Sequence, residues 1–181
     1  MLQNQMNKSF IGKLRKNLNI YKGDALAIQQ KLTQIKIMRI RVAGIIPMEE
    51  GFALMHRTGN KVNGILDYHV FPGGGLEENE SLEEGVVREV KEEFGIDVEV
   101  IEKKYELENG EVNKKEYFYL CKYISGEFGT GNGPEFNNDP KYADRGKYTP
   151  EIIKREEIEK INLLPDQIKE KFVEDVKNGR I

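Results

Sequence analysis

Three glutamates, Glu89, Glu92 and Glu93, fall within one short stretch of the segment from Leu82 to Phe94. On a helix turning about 100° per residue they share one arc roughly 100° wide, separate from the arc of Val86, Val87, Val90 and Phe94, which must be the core side. Residues three and four apart are helix neighbours, so these carboxylates converge and repel one another. A cation relieves that repulsion, and hard divalent ions prefer oxygen ligands: Mg²⁺ is usually held by a few carboxylates, water and substrate phosphate oxygens. For the helix taken alone, the competing explanation is a solvated acidic face with no ligand. Its context changes the balance. Gly73-Gly74-Gly75-Leu76 comes just before it, and a backbone without side chains at its bend can approach a ligand closely. Exposed N–H groups ahead of a helix also suit an anion.

The elements that must position these groups follow from the surrounding pattern. Ser81 with Glu84 three residues on forms a capping box and Gly95 supplies the C-terminal stop, so a helix is predicted over residues 81–94. Arg39-Ile40-Arg41-Val42 alternates and runs into the apolar stretch Ala43 to Ile46, with Gly51 to Met55 following a short acidic turn. Two strands are expected there, and a third over Tyr68 to Phe71 that ends on the glycine run, which suits neither a helix nor a central strand. Val98 to Ile101 and Glu116 to Ile124 read as strands around the turn Glu108-Asn109-Gly110. The segment from Gly126 to Tyr148 is too long for an ordinary hairpin loop and reads as a functional flap or a partly disordered stretch. Glu151 to Lys154 is a further strand candidate, and Pro165 opens a closing helix with Ile168, Phe172, Val173 and Val176 as its inward stripe.

Composition bounds the rest. The chain has 181 residues, 38% hydrophobic and 33% charged, which fits one principal globular domain with a well-solvated surface. No stretch approaches the ~20 apolar residues of a membrane span, and residues 1–18 lack the apolar core of a secretory signal, so a cytoplasmic location is expected. Cys121 is the single cysteine. In its strand setting it reads as a small buried hydrophobe and not a reactive thiol. The net charge of −3 hides an asymmetry: residues 1–37 hold seven Lys/Arg and one acid, Asp24, for a local +6, leaving −9 for the remainder. This basic arm reads as one or two short amphipathic helices broken around Tyr21-Lys22-Gly23. It could touch nucleic acid or an anionic surface, but packing on the acidic body or self-association is preferred.

The run from Gly74 to Ile96, GGLEENESLEEGVVREVKEEFGI, resembles the Nudix box at every defining position: Gly74, Glu80, Arg88-Glu89, Val90, Glu92-Glu93, Gly95 and Ile96. The resemblance extends from Met38 to the closing helix and implies the Nudix fold, an α/β class in which a mixed β-sheet is sandwiched between helices (α/β/α). The domain division that follows is a basic helical arm, 1–37, and a Nudix hydrolase domain, 38–181. By resemblance, Glu89, Glu92 and Glu93 ligate one or more Mg²⁺ or Mn²⁺ ions, Arg88 holds a carboxylate in place, Glu80 braces the loop, and Gly73, Gly74 and Gly75 face the phosphates. Such ions would neutralise a diphosphate and acidify the attacking water.

The general base in this family is a box glutamate or an acid from a later loop, and Glu135 is the loop candidate, with Glu116 and Glu127 as rivals. Arg57, expected at the end of the second strand, resembles an arginine that meets substrate phosphate, though a solvated strand end explains it about as well. His56 and His69 fit no metal-ligand spacing and are expected to be structural. Phe71-Pro72-Gly73-Gly74 resembles the approach to the box in the subgroup acting on nucleoside triphosphates. The proline that ADP-ribose-cleaving relatives carry after the box is missing from 96–133. The expected activity is therefore MutT-like hydrolysis of a small nucleoside triphosphate to the monophosphate and pyrophosphate. Cleavage of a nucleoside diphosphate linked to a sugar or second nucleotide is the alternative within the enzymes, and a non-catalytic nucleotide- or DNA-binding regulator the alternative outside them. Self-association of the arm would give a homodimer.

Overall fold

The computed structural model describes residues 38–62, 64–133, 136 and 146–181. The helices expected in the basic arm, and Glu135, lie outside the described residues.

The apolar run after Arg39 becomes the hub of a mixed sheet. Strand β1 (Arg39–Met48) pairs parallel with β6 (Lys114–Gly126) and antiparallel with β2 (Gly51–Val62). β5 (Ile96–Asn109) forms a long antiparallel hairpin with β6. On the other side β2 pairs antiparallel with β3 (Ile65–Val70) and with β7 (Lys147–Lys154), and β3 pairs parallel with the short β8 (Leu163–Leu164). Two helices, α1 (Leu82–Phe94) and α2 (Asp166–Lys177), complete the α/β/α arrangement.

Side chains alternate along each strand, so the sheet has two dissimilar faces. Ala53 and Met55 of β2 pack with Val42, Val86, Val90 and Phe94 on the α1 side. Phe52 and Leu54 pack with Phe71, Phe118, Ile168 and Phe172 on the α2 side. There Phe172 meets Phe52 and Phe71 edge-on, with ring centroids 4.8 and 5.1 Å apart. Edge-to-face contact sets the positive ring edge against the negative face of its neighbour, which adds to the gain from burial alone. Tyr105 of β5 donates a hydrogen bond to Asp175 and so ties the hairpin to α2. Cys121 is buried, and desolvation pushes its thiol up to about 12, in keeping with its expected role as a small hydrophobe.

The structure adds to or corrects three sequence expectations. The glycine run, expected to suit neither a helix nor a central strand, forms a short strand off the main sheet order: β4 (Gly73–Gly75) pairs antiparallel with Arg41–Ala43 of β1. It fits because it has no side chains, since a Cβ on Gly73 would stand 2.0 Å from the Val42 carbonyl oxygen. The second strand does not end near Arg57 but runs to Val62, and β7 begins at Lys147, four residues before the stretch expected. Finally, α1 is rolled relative to the predicted wheel. Val87 is 37% exposed, whereas Gly85 and Glu93 are buried. The roll turns the glutamate arc toward β4 and away from open solvent.

Candidate active site

The local sequence sets both ends of α1. The Ser81 hydroxyl accepts the Glu84 N–H at 3.2 Å while the Glu84 carboxylate accepts the Ser81 N–H at 2.9 Å, and Gly95 closes the helix with φ of 77°. A fixed start and a fixed stop leave the intervening glutamates no freedom of register.

Arg88 is the centre of the resulting web. Its Nε and Nη2 donate to the two oxygens of Glu80 at 2.8 and 3.0 Å, a bidentate pair. Nη1 donates to Glu89 at 2.8 Å and to Glu92 at 3.2 Å, and Nη2 also reaches the Gly75 carbonyl at 2.9 Å. The planar guanidinium is suited to this, because its donors point in several fixed directions at once. Glu80 in turn accepts the Glu77 N–H at 2.9 Å and so fixes the loop between β4 and α1. The Arg88 hydrogen bonds hold the Glu80 carboxyl below its ordinary range.

The glycine strand touches the other two carboxylates. Gly73 N–H donates to Glu93 at 2.8 Å. Gly74 lies so close to Glu89 that a Cβ there would come within 2.4 Å of its carboxylate. Burial pushes Glu89 above the usual carboxylate range, against the opposing pull of Arg88. Glu89 is 13% exposed and Glu93 8%, so the cluster is enclosed, while Glu92 at 36% marks its rim. One guanidinium cannot balance Glu80, Glu89 and Glu92 together. The donor set is all oxygen and carries excess negative charge in a half-buried position, which fits a hard divalent cation such as Mg²⁺ or Mn²⁺.

Glu89, Glu93 and Gly73 to Gly75 line a cavity of about 880 Å³. The same lining includes Arg57, Tyr68 and Tyr148, with the Arg57 guanidinium 3.5 Å from the centre of the Tyr148 ring. Arg57 is thus a half-buried cavity residue and not a solvated strand end. Of the acids considered as general base, Glu116 lines the cavity, held by Lys114 at 2.9 Å and by Arg41 at 3.6 Å. Glu127 is exposed beyond the C-terminal end of α1, where its carbonyl accepts from Thr130.

Sequence reasoning missed Arg41, which donates to the carbonyls of Phe71 and Gly73 at 2.9 and 3.1 Å and anchors the glycine strand. The alternation Arg39-Ile40-Arg41 was its signal, since it puts charge on one face of an otherwise apolar strand. Tyr148 had no such signal, because its place opposite Arg57 is set by the pairing of β2 with β7. His56 and His69, which fit no metal-ligand spacing along the sequence, lie with Glu151 so that the three offer ligand atoms within 4.8 Å of one another.

A model of the NUDIX domain matches residues 38–170, and the chain belongs to that family of hydrolases. A MutT-like protein of Streptomyces ambofaciens is 42% identical over 73 residues, 40% of this chain; the match spans 44% of that relative's length. A NUDIX hydrolase from Nitrosomonas europaea superposes with a TM-score of 0.58 at 17% identity, covering 77% of this chain and 70% of that one. A MutT protein from Methanosarcina mazei Go1 gives 0.55 at 24% identity, covering 81% and 97%. At these identities the two structures speak for the fold.

Proposed function

We propose that this chain is a Mg²⁺- or Mn²⁺-dependent pyrophosphohydrolase that cleaves a nucleoside triphosphate to the nucleoside monophosphate and pyrophosphate. The observation that carries it is the grouping of Glu89 and Glu92 on Arg88 beside Glu93 on the glycine strand, with Glu89 and Glu93 lining a cavity. Glu89, Glu92 and Glu93 would hold the divalent ions, whose chemistry is to neutralise the diphosphate and make the attacking water more acidic. The remaining work belongs to the chain itself. Arg88 fixes the rotamers of Glu89 and Glu92, and Glu80 locks Arg88 and the loop. Gly73 to Gly75 let the phosphates approach the backbone, and Arg57, in the same cavity, supplies positive charge to them. The proton of the attacking water passes to a box glutamate or to a loop acid. Glu135 is one candidate for the loop acid, and Glu116 is supported by its position in the cavity. The triphosphate is favoured by the Phe71-Pro72-Gly73-Gly74 approach to the box and by the absence of proline over 96–133.

The domain carrying this activity would be residues 38–181, with the basic arm, 1–37, as an addition whose self-association gives a homodimer. Among the described residues no helix is long and apolar enough to cross a membrane, and a cytoplasmic setting supplies both the nucleotides and the Mg²⁺ the reaction needs.

The test is phosphate release from a panel of nucleoside triphosphates, nucleotide sugars and dinucleoside polyphosphates, with and without Mg²⁺, coupled separately to pyrophosphatase and to phosphatase. Metal-dependent signal through pyrophosphatase is the expected result. Signal through phosphatase alone would replace the triphosphate with a linked diphosphate. Silence across the panel from folded protein would leave a nucleotide-binding regulator.

A further inference from the structure

On the α2 face of the sheet, opposite the glutamate cluster, four polar side chains from three strands gather where the apolar core ends. His56 of β2 lies directly across from His69 of β3, and their rings stack with centroids 4.5 Å apart and planes 7° from parallel. Glu151 of β7 bridges them: one oxygen is 2.9 Å from His56 Nδ1, the other 3.3 Å from His69 Nε2. The second nitrogen of His56, Nε2, lies 2.7 Å from the carboxylate of Asp67. None of these residues takes part in the proposed hydrolysis.

The hydrogen-bond chemistry of this group is unusual. An ionised carboxylate only accepts, and His56 faces one from each ring nitrogen, so in the absence of a metal it must carry a proton on both. The proton on Nδ1 then sits between an imidazole nitrogen and a carboxylate, where a metal ion would bind. His69 is the reverse case. It is 7% exposed and its Nδ1 has no hydrogen-bond partner, so only its Nε2 meets a carboxylate. Burial also pushes its pKa below the ordinary histidine value.

We propose that His56, His69 and Glu151 form a binding site for a transition-metal ion of the Zn²⁺ class, distinct from the oxygen-only site on α1. The three ligand atoms lie within 4.8 Å of one another. Ligands on one tetrahedral Zn²⁺ stand about 3.3 Å apart, given bonds of about 2.0–2.2 Å. Small side-chain rotations close that difference, with the two imidazoles tilting out of their stack toward the ion, the Nδ1 proton of His56 leaving to solvent, and His69 exchanging its Nε2 proton for the Nδ1–H tautomer. Asp67 then completes a carboxylate–histidine–metal arrangement, in which the outer carboxylate fixes the tautomer and orientation of the ligating ring. Two nitrogens and a carboxylate, with a partly exposed side for water as fourth ligand, suit Zn²⁺ and discriminate against Mg²⁺. Such an ion would staple β2, β3 and β7 together. The other face of those strands carries Arg57, Tyr68 and Tyr148, so the staple would hold that part of the cavity lining.

The test uses the full chain, stripped of metal by a chelator and titrated with Zn²⁺ by calorimetry in millimolar Mg²⁺, which saturates the oxygen-ligand site. Co²⁺ serves as a visible-absorption probe of coordination. The expected result is one equivalent of Zn²⁺ bound despite the Mg²⁺. That binding should be retained in Glu92→Gln, weakened at least about 10-fold in His56→Gln and Glu151→Gln, and weakened about 10- to 100-fold in Asp67→Asn. Zn²⁺ should also raise the melting temperature of the unmodified chain and not that of His56→Gln. His69 is buried and its replacement endangers the fold, so the partly exposed His56 and the 72%-exposed Asp67 carry the test. Absence of Zn²⁺ binding would overturn the proposal, as would full displacement by Mg²⁺, equal affinity in His56→Gln, or loss of the Zn²⁺ equivalent in Glu92→Gln. None of these results bears on whether the glutamate cluster hydrolyses nucleotides, because the two sites share no residue.

Discussion

The two faces of the sheet put charge to opposite uses. On the α1 face, carboxylates are packed together around one arginine beside a glycine strand, so that like charges stand close to one another. On the α2 face the interior is built largely from phenylalanine, leucine and isoleucine, with polar groups such as the Tyr105–Asp175 pair and the hydrogen-bonded histidine cluster at its margins. Each face has its own apolar core, but only the α1 face sets a carboxylate cluster beside it. The comparison implies that changes on the α2 face should alter folding without chemistry, and changes on the α1 face chemistry with little folding.

The largest expected effect is from Phe172→Ala, which empties the centre of the α2 core and should cost about 3–5 kcal/mol of stability. Urea unfolding measures that loss. Turnover per folded molecule should stay within about twofold, and a proportionate fall in turnover would break the division between faces. Glu92→Gln and Glu93→Gln should each lower metal-dependent turnover by roughly 10²- to 10³-fold, the scale of losing one preorganised charge from a reacting centre. Their urea midpoints should barely move: Glu92 is at the rim, and although Glu93 is buried, a glutamine there still accepts the Gly73 N–H. Gly74→Ala pushes a methyl into the Glu89 carboxylate and should cost about 10-fold in activity, since small misplacements of catalytic groups are expensive. Ser81→Ala removes the α1 cap and should cost about 1 kcal/mol in unfolding experiments. The smallest effect belongs to Cys121. With its thiol at about 12, the thiolate fraction at pH 8 is on the order of 10⁻⁴, so a disulfide reagent should leave it unmodified until the chain unfolds.

Local elements were legible because their signals are local. The capping box at Ser81 and Glu84, the stop at Gly95 and the closing helix after Pro165 all depend on residues a few positions apart. The glutamate cluster was legible for the same reason, as three side chains on two turns of one helix. The roll of α1 was not, because a helical wheel does not say which neighbouring strand will cover its acidic arc. β4 was not foreseen for a related reason: glycine's poor strand propensity was overridden by how closely two backbones approach once side chains are removed.

The sequence by itself determined the class of the domain, the helix that carries the carboxylates and the family to which the chain belongs, because each rests on residue types at fixed short spacings. Only the tertiary structure decided that Arg57 lies against Tyr148 in the cavity that Glu89 and Glu93 also line, that Arg41 anchors the glycine strand, and that His56, His69 and Glu151 meet. Those contacts join residues up to 95 positions apart. They follow from strand register, which shifts every side chain to the opposite face when it slips by one residue, and which is set by the packing of the whole sheet.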